Sequence, residues 1–276
     1  MDERGKTAAT IEPALMDALL ALAADAGRSI LAIRAGRLDV RLKSDGSPAS
    51  AADDAAETVI LSGLSRLFPG VPVVSEERAD MSGCGAATFL LVDPLDGTRE
   101  FLAGSDEFTV NIALIVNGVP TLGVVGAPAL GLLWSGASGA GAARTLVARD
   151  ASIGERTAIR ARSWSARAPV AMVSRSHLDA QTSAFLARLP GVKTMPAGSA
   201  LKFCRLAEGA ADLYPRLART SEWDIAAGHA VLAAAGGTVV SPDGAALRYG
   251  GSRGHCFVPA FVAFGDPKAA RTMLPA

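Results

Sequence analysis

The chain has 276 residues, with 27 Lys+Arg against 27 Asp+Glu, three His, three Cys, half its residues hydrophobic and 5% aromatic. At roughly 150 residues per domain that length fits one large domain or two small ones. A half-apolar composition with 20% charge excludes wholesale disorder, and a net charge of zero argues against a general nucleic-acid coat, which needs a basic surplus.

The chain opens Met1-Asp2-Glu3-Arg4, with acids where a secretory signal would carry bases, so no leader is expected. Glu12-Pro13 starts a helix whose apolar positions Leu15, Leu19, Leu22, Ala26, Ile30 and Ile33 recur at helical spacing until Gly36. A loop over 43–53 feeds a second helix, with Ser50 and Asp53 spaced as a capping signal and Pro69-Gly70 as its stop. Val71–Val74 and Phe89–Val92 are short apolar runs that each break off into acids. The uncharged stretch from Phe108 to Ala143 is long enough for a membrane span. Asn117-Gly118, two prolines and repeated glycines punctuate it, however, so it reads as buried sheet with a hairpin over 109–116 and 119–125. Gly/Ala-rich 136–143 reads as a turn between strands, since no Gly-Lys-Ser/Thr follows. Beyond Pro169 strand and helix alternate: strands over 170–173, 192–195 and 238–240, helices over 179–189, 200–208 and 224–235.

Cys84, Cys204 and Cys256 are odd in number, far apart and never in a C-x-x-C pair. The expectation is three small buried side chains, with neither a disulfide framework nor a cysteine zinc site, in a reducing cytosol. His229, Trp134, Trp164 and Trp223 read as packing residues.

The neutral total conceals an asymmetry. Residues 45–100 hold ten acids against three bases, a net −7, while 151–219 hold eleven bases against four acids, a net +7. Within the acidic part, Leu90-Leu91-Val92-Asp93-Pro94-Leu95-Asp96-Gly97-Thr98 ends an apolar strand in two carboxylates. This is either a solvated Asp-rich turn or a site where carboxylates converge on a cation. Oxygen ligands without Cys or His would indicate a hard cation such as Mg²⁺. Val73-Val74-Ser75-Glu76-Glu77 is a second strand ending in acids, and Glu222-Trp223-Asp224 puts an acid at a helix start. Asp53 is open to two readings, a helix cap or the base of a water-activating pair.

Asp-Pro-Leu-Asp-Gly-Thr at 93–98, the preceding Ser-Glu-Glu and the later Trp-Asp resemble the motif set of the inositol monophosphatase superfamily of metal-dependent, lithium-sensitive phosphatases. Ser174-Arg175-Ser176-His177, the run Gly198–Cys204 and Leu213-Tyr214-Pro215-Arg216 resemble its bacterial 3′(2′),5′-bisphosphate nucleotidase branch, the CysQ type. The resemblance implies an α+β and α/β chain folded as a layered αβαβα sandwich. Residues 1–168 would form an α+β half with most metal ligands and 169–276 an α/β half that selects the substrate, one compact unit with a cleft between. It implies metal ligation by Glu76, Asp93, the Leu95 carbonyl, Asp96 and Asp224, with two or three Mg²⁺ ions. Asp53 and Thr98 correspond to the pair that deprotonates water, with Lys43 and Glu76 completing the catalytic set. Gly97 and Thr98 correspond to backbone phosphate donors, and His177, Ser199, Lys202 and Arg216 to nucleotide contacts. Glu76, Leu95, Asp96 and Asp224 also border the substrate. Ser50 and Arg99 stand where the family often has Thr and Lys.

The activity so implied is release of the 3′-phosphate from adenosine 3′,5′-bisphosphate, in sulfate assimilation and nucleotide recycling. Arg175 and Arg205 join Lys202, Arg216 and His177 as candidates for the substrate's second phosphate, although Arg205 also fits a purely structural role. Inositol monophosphatase or fructose-1,6-bisphosphatase activity on the same metal core is the nearest alternative, and a non-catalytic phosphate-binding regulator the alternative of another class. The implied partners are a small phosphorylated nucleotide, no nucleic-acid polymer and no transmembrane segment. A monomer or homodimer is expected in the cytoplasm, with peripheral attachment to the cytoplasmic face of the inner membrane left open.

Overall fold

A computed structural model describes residues 12–36, 40–42, 48–78, 81–164, 167–176, 178–251 and 256–274. Helix α1 (Pro13–Arg34) begins with proline at its first turn and buries Leu19, Leu20, Ala23, Ala26 and Ile30. Two short strands, β1 (Val40–Leu42) and β2 (Pro48–Ser50), pair antiparallel around what the sequence presents as a plain loop. Helix α2 (Ala51–Leu67) follows at once, capped as its Ser-x-x-Asp spacing predicts: the Ala52 amide donates to Ser50 Oγ, and the Ser50 amide to Asp53 Oδ2 at 2.8 Å. Ala52, Ala56, Ile60 and Leu64, four residues apart, form its buried face.

Next come β3 (Val73–Ser75), β4 (Thr88–Asp96), a one-turn helix α3 (Thr98–Leu102), β5 (Thr109–Val116), β6 (Val119–Ala127), β7 (Leu132–Ala137), β8 (Gly141–Val147) and β9 (Ile153–Ile159). These seven strands form one sheet in sequence order, antiparallel except for the β3–β4 pair. The expected hairpin turns at Asn117 and Gly118, both with positive φ, which matches the twist of the strands it joins.

The second half contributes β10 (Val170–Ser174), α4 (Ala180–Ala187), β11 (Lys193–Ala197), α5 (Leu201–Ala207), β12 (Leu213–Arg216), β13 (Thr220–Ser221), α6 (Glu222–Ala234), β14 (Thr238–Val240), β15 (Phe257–Val258), β16 (Phe261–Phe264) and α7 (Pro267–Met273). Its five-stranded sheet has the order β11-β10-β12-β16-β14.

The layers run α1/α2, seven-stranded sheet, α5/α6, five-stranded sheet, α4/α7, which is an αβαβα sandwich. Helix α6 explains the order. It buries residues on all sides, from Trp223 and Ile225 to Val231 and Leu232, as only a helix between two sheets can. It lies so close to the first sheet that a Cβ at Gly123 would sit 2.3 Å from the Ala227 carbonyl oxygen, and one at Gly136 2.7 Å from Val231 Cα.

One expectation is corrected. Cys84 and Cys256, 172 residues apart, form a disulfide, while Cys204 is free and buried. The link between β3 and β4 meets the segment before β15, a contact that no local spacing reveals. His229 is the packed residue expected: its Nδ1 lies 2.9 Å from the Tyr249 hydroxyl, and burial pushes its pKa down to about 4. Trp134 is buried with Nε1 donating to Glu208 at 2.8 Å.

Gly123→Ala is expected to cost about 2–3 kcal/mol in urea unfolding, because the added methyl must displace helix backbone. Gly251→Ala, which meets open space, is the control and should cost nothing measurable.

Candidate active site

Two strand ends and one helix start empty their acids into a single cavity. Asp93 and Asp96 are three residues apart, so on a regular strand they would face opposite sides of the sheet. The pairing of β4 with β5 shifts register between Asp93 and Asp96, and this bulge, at Pro94-Leu95, turns both residues toward the cavity. Pro94, which has no amide hydrogen, falls where the ladder is already interrupted. Glu76 follows parallel β3, its amide donating to the Val92 carbonyl at 3.1 Å. Asp224 sits in the first turn of α6, where the Ser221 amide (3.1 Å) and Thr220 Oγ1 (2.5 Å) donate to its Oδ2. One carboxylate oxygen each from Glu76, Asp93 and Asp224 lies within 4.8 Å of the others.

This clustering carries an electrostatic cost that a cation would offset. Burial, and then the charges of Glu76, Asp96 and Asp224, raise the Asp93 carboxyl well above the usual range. Burial and Asp224 push Asp96 up to about 7, and burial raises Asp224 as well. Asp93 Oδ1 accepts from the Leu95 amide at 3.1 Å, but its buried Oδ2 meets no donor among the described residues. An orphaned carboxylate oxygen among acids, with no Cys or His in the group, fits a hard divalent cation.

Beside the acids, Thr98 Oγ1 lies 3.3 Å from Asp53 Oδ1 and 3.2 Å from the Leu95 carbonyl. Asp53 is buried, and its other oxygen accepts from both the amide and hydroxyl of Ser50 at 2.8 Å. It therefore caps α2 and meets Thr98 at once, so the two readings of this residue are compatible. Gly97 has φ +90°, and a Cβ there would lie 2.3 Å from Ser199 Oγ, so only glycine fits between the acids and the second half.

The cavity is about 310 Å³ and also contains Ser199, Lys202, Tyr214 and Arg216. Lys202 is buried, its Nζ donating to the carbonyls of Ser199 (2.6 Å) and Ala197 (3.2 Å) and lying 5.3 Å from the Tyr214 ring centre. Arg216 Nε is buried without a partner among the described residues. A larger cavity of about 760 Å³ lies along α1 and the β6–β7 connection, but none of these carboxylates lines it. Chemistry, not size, selects the smaller one.

Two of the basic residues expected beside the substrate turn elsewhere. Arg175 is paired with Glu107 and Arg205 with Glu208, because each has a carboxylate at 2.8–2.9 Å. Lys43 and His177 lie outside the described residues. Glu222, beside the helix-start acid Asp224, is buried, accepts from the Gly250 amide, and is pushed up by burial to about 7. Glu107 carries no local sequence signal; the partners of its carboxylate come from the other half of the chain.

A model of the inositol monophosphatase family matches residues 13–262, and the chain belongs to that family. The 3′(2′),5′-bisphosphate nucleotidase CysQ of Escherichia coli K12 is 46% identical over 241 residues, covering 85% of this chain and 94% of that protein. A histidinol-phosphatase of Mycobacterium tuberculosis is 36% identical over 246 residues, covering 86% and 91%. Among solved structures, CysQ from Bacteroides thetaiotaomicron, a bacterial member of the same family, superposes with a TM-score of 0.77 at 34% identity, covering 90% of this chain and 97% of that one. Among the described residues no helix is long and apolar enough to cross a membrane.

The raised carboxyls fix a pH dependence. A group whose pKa is higher folded than unfolded stabilises the fold fully below the unfolded value and loses that contribution as pH rises through the folded value. With Asp96 going from 3.8 to about 7, and Glu222 from 4.5 to about 7, the metal-free protein should lose stability as pH rises from about 4 to about 7. In EDTA the Tm is expected to fall by about 5 °C or more across that window. Saturating Mg²⁺ should restore about 5–10 °C at pH 8 and less at pH 5.5, as scanning calorimetry would record.

Proposed function

We propose that this protein is a Mg²⁺-dependent 3′(2′),5′-bisphosphate nucleotidase that hydrolyses the 3′-phosphate of adenosine 3′,5′-bisphosphate to give AMP and phosphate. One observation carries the reading: Glu76, Asp93 and Asp224 converge in the same cavity as Lys202 and Arg216. Acids suited to cations thus lie beside bases suited to a second, non-reacting phosphate. The relatives that carry the nucleotidase name, at up to 46% identity, support the same substrate class.

Glu76, Asp93, Asp96, Asp224 and the Leu95 carbonyl would hold the metal. Bound there, Mg²⁺ supplies Lewis-acid polarisation of the phosphoryl group, a lowered pKa for water and charge compensation at the leaving oxygen. The protein's own contribution begins at Thr98. Its hydroxyl donates to Asp53, which leaves its lone pairs free to accept a proton from an attacking water. As that proton arrives, the threonine's own proton passes to Asp53 Oδ1. Ser50 keeps Asp53 from turning by holding its second oxygen. Lys202 and Arg216 bind and orient the other phosphate, so that the 3′-ester faces the acids. No residue here forms a covalent phosphoenzyme.

A second reading comes from the histidinol-phosphatase relative at 36% identity. It would use the same acids on a monophosphate, leaving Lys202 and Arg216 without a second phosphate to bind. Phosphate release from adenosine 3′,5′-bisphosphate, histidinol phosphate, inositol monophosphate and fructose 1,6-bisphosphate separates these readings. The bisphosphate nucleotide should lead by at least about 100-fold in kcat/KM, and activity should vanish in EDTA. A lead by histidinol phosphate would overturn the nucleotide assignment. Asp93→Asn should lower kcat by about 10³-fold and Thr98→Ala by about 10²-fold, with the fold intact by circular dichroism.

A further inference from the structure

Glu107 lies in the loop between α3 and β5, outside the acid cluster, yet it accepts four hydrogen bonds from the second half of the chain. Arg175 Nε and Nη2, at the end of β10, donate to its two carboxylate oxygens at 2.8 Å each. The Gly198 amide, in the turn entering α5, donates to Glu107 Oε2 at 2.8 Å. Ser199 Oγ lies 3.0 Å from the Glu107 carbonyl oxygen and 2.8 Å from that of Asp96.

The turn so held is not a relaxed one. Ser199 has φ +50°, a left-handed conformation that a non-glycine residue adopts only when its surroundings impose it. A Cβ at Gly198 would sit 2.4 Å from the Glu107 carbonyl oxygen, so the two segments touch backbone to backbone. The same turn sets Lys202, whose Nζ donates to the Ser199 carbonyl at 2.6 Å. From behind, Arg34 holds the loop by donating to Asp106 (2.8 Å) and the Gly104 carbonyl (2.7 Å). The Arg175 hydrogen bond keeps the Glu107 carboxyl below its ordinary range.

We infer that Glu107, with Arg175, is a positioning residue that fixes Ser199 and Lys202 at a set distance from the acid cluster, and thereby sets the preference for a nucleotide with a second phosphate. This rests on the nucleotidase reading above. Neither residue lines the cavity where the acids converge, so losing the pair should loosen the grip on the second phosphate while leaving metal binding unchanged. A fork-shaped, charge-assisted pair is among the stronger polar contacts, which makes the effect measurable.

The test compares adenosine 3′,5′-bisphosphate with 3′-AMP, which lacks the second phosphate, in wild type, Glu107→Gln, Arg175→Ala and the double variant. Glu107→Gln should raise KM for the bisphosphate about tenfold, change kcat less than threefold and leave KM for 3′-AMP nearly unchanged. The Mg²⁺-induced rise in Tm should equal that of the wild type. Arg175→Ala, made on the exposed side of the pair, should reproduce the split, and the double variant should be no worse than either single one. If Glu107→Gln does not fold, Arg175→Ala alone decides by the same KM comparison. Variants that keep the wild-type preference for the bisphosphate, or lose both substrates and the Mg²⁺ response together, would overturn the inference while the nucleotidase reading stands. A wild type indifferent to the second phosphate would overturn both.

Discussion

Carboxylates buried side by side repel one another, and the core of this protein is arranged around that repulsion. Glu76, Asp93 and Asp224 approach within 4.8 Å, and Asp96 joins them in the same cavity. Nothing in a hydrophobic core requires such a grouping, and burial makes it costly. The chain holds the acids in place through backbone: the bulge at Pro94-Leu95 aims Asp93 and Asp96 together, parallel β3 delivers Glu76, and the Ser221 amide fixes Asp224. A cation would convert the repulsion into attraction, so the grouping that weakens the metal-free fold is the one suited to hold a metal.

The sandwich then has a simple purpose. Helix α6 lies flat between the sheets, touching the first so closely that glycine is needed at 123 and 136, and its first turn carries Asp224. The acids therefore lie on the seam between the halves instead of within one of them. Across that seam come Ser199, Lys202 and Arg216, and Glu107, in the loop beyond the acids, ties down the turn that carries Ser199 and leads into the Lys202 helix. Glu76 follows β3 and Asp93 and Asp96 end β4, Asp224 and Lys202 lie on α6 and α5, and Arg216 ends β12, so their spacing depends on the close approach of Gly123 and Gly136 to α6 and on the Glu107 bonds to Gly198 and Ser199.

Much of this was legible in the sequence. The capping pair Ser50 and Asp53, the Asn117-Gly118 turn and the acids closing two apolar runs are local signals, and locally they act as read. What stayed hidden was long-range. Strand β12 carries Pro215 and spans only four residues, and it is a strand because β10 and β16 flank it. The bond between Cys84 and Cys256, and the burial of Glu222, depend on segments that no spacing rule brings together. Segment charges were a coarser guide still. Of the basic stretch, Arg175 and Arg205 are consumed by Glu107 and Glu208, and Arg162 by Asp212, which leaves Lys202 and Arg216 facing the cavity.

In the reading proposed above, the gathered carboxylates hold a divalent cation. Anomalous diffraction from crystals grown with Mn²⁺, a hard cation that gives its own scattering signal, tests this most directly. An anomalous peak enclosed by Glu76, Asp93 and Asp224 is expected in the wild type and should be lost in Asp93→Asn. Protein that releases phosphate while the space between those three residues stays free of metal at saturating Mn²⁺ would contradict it.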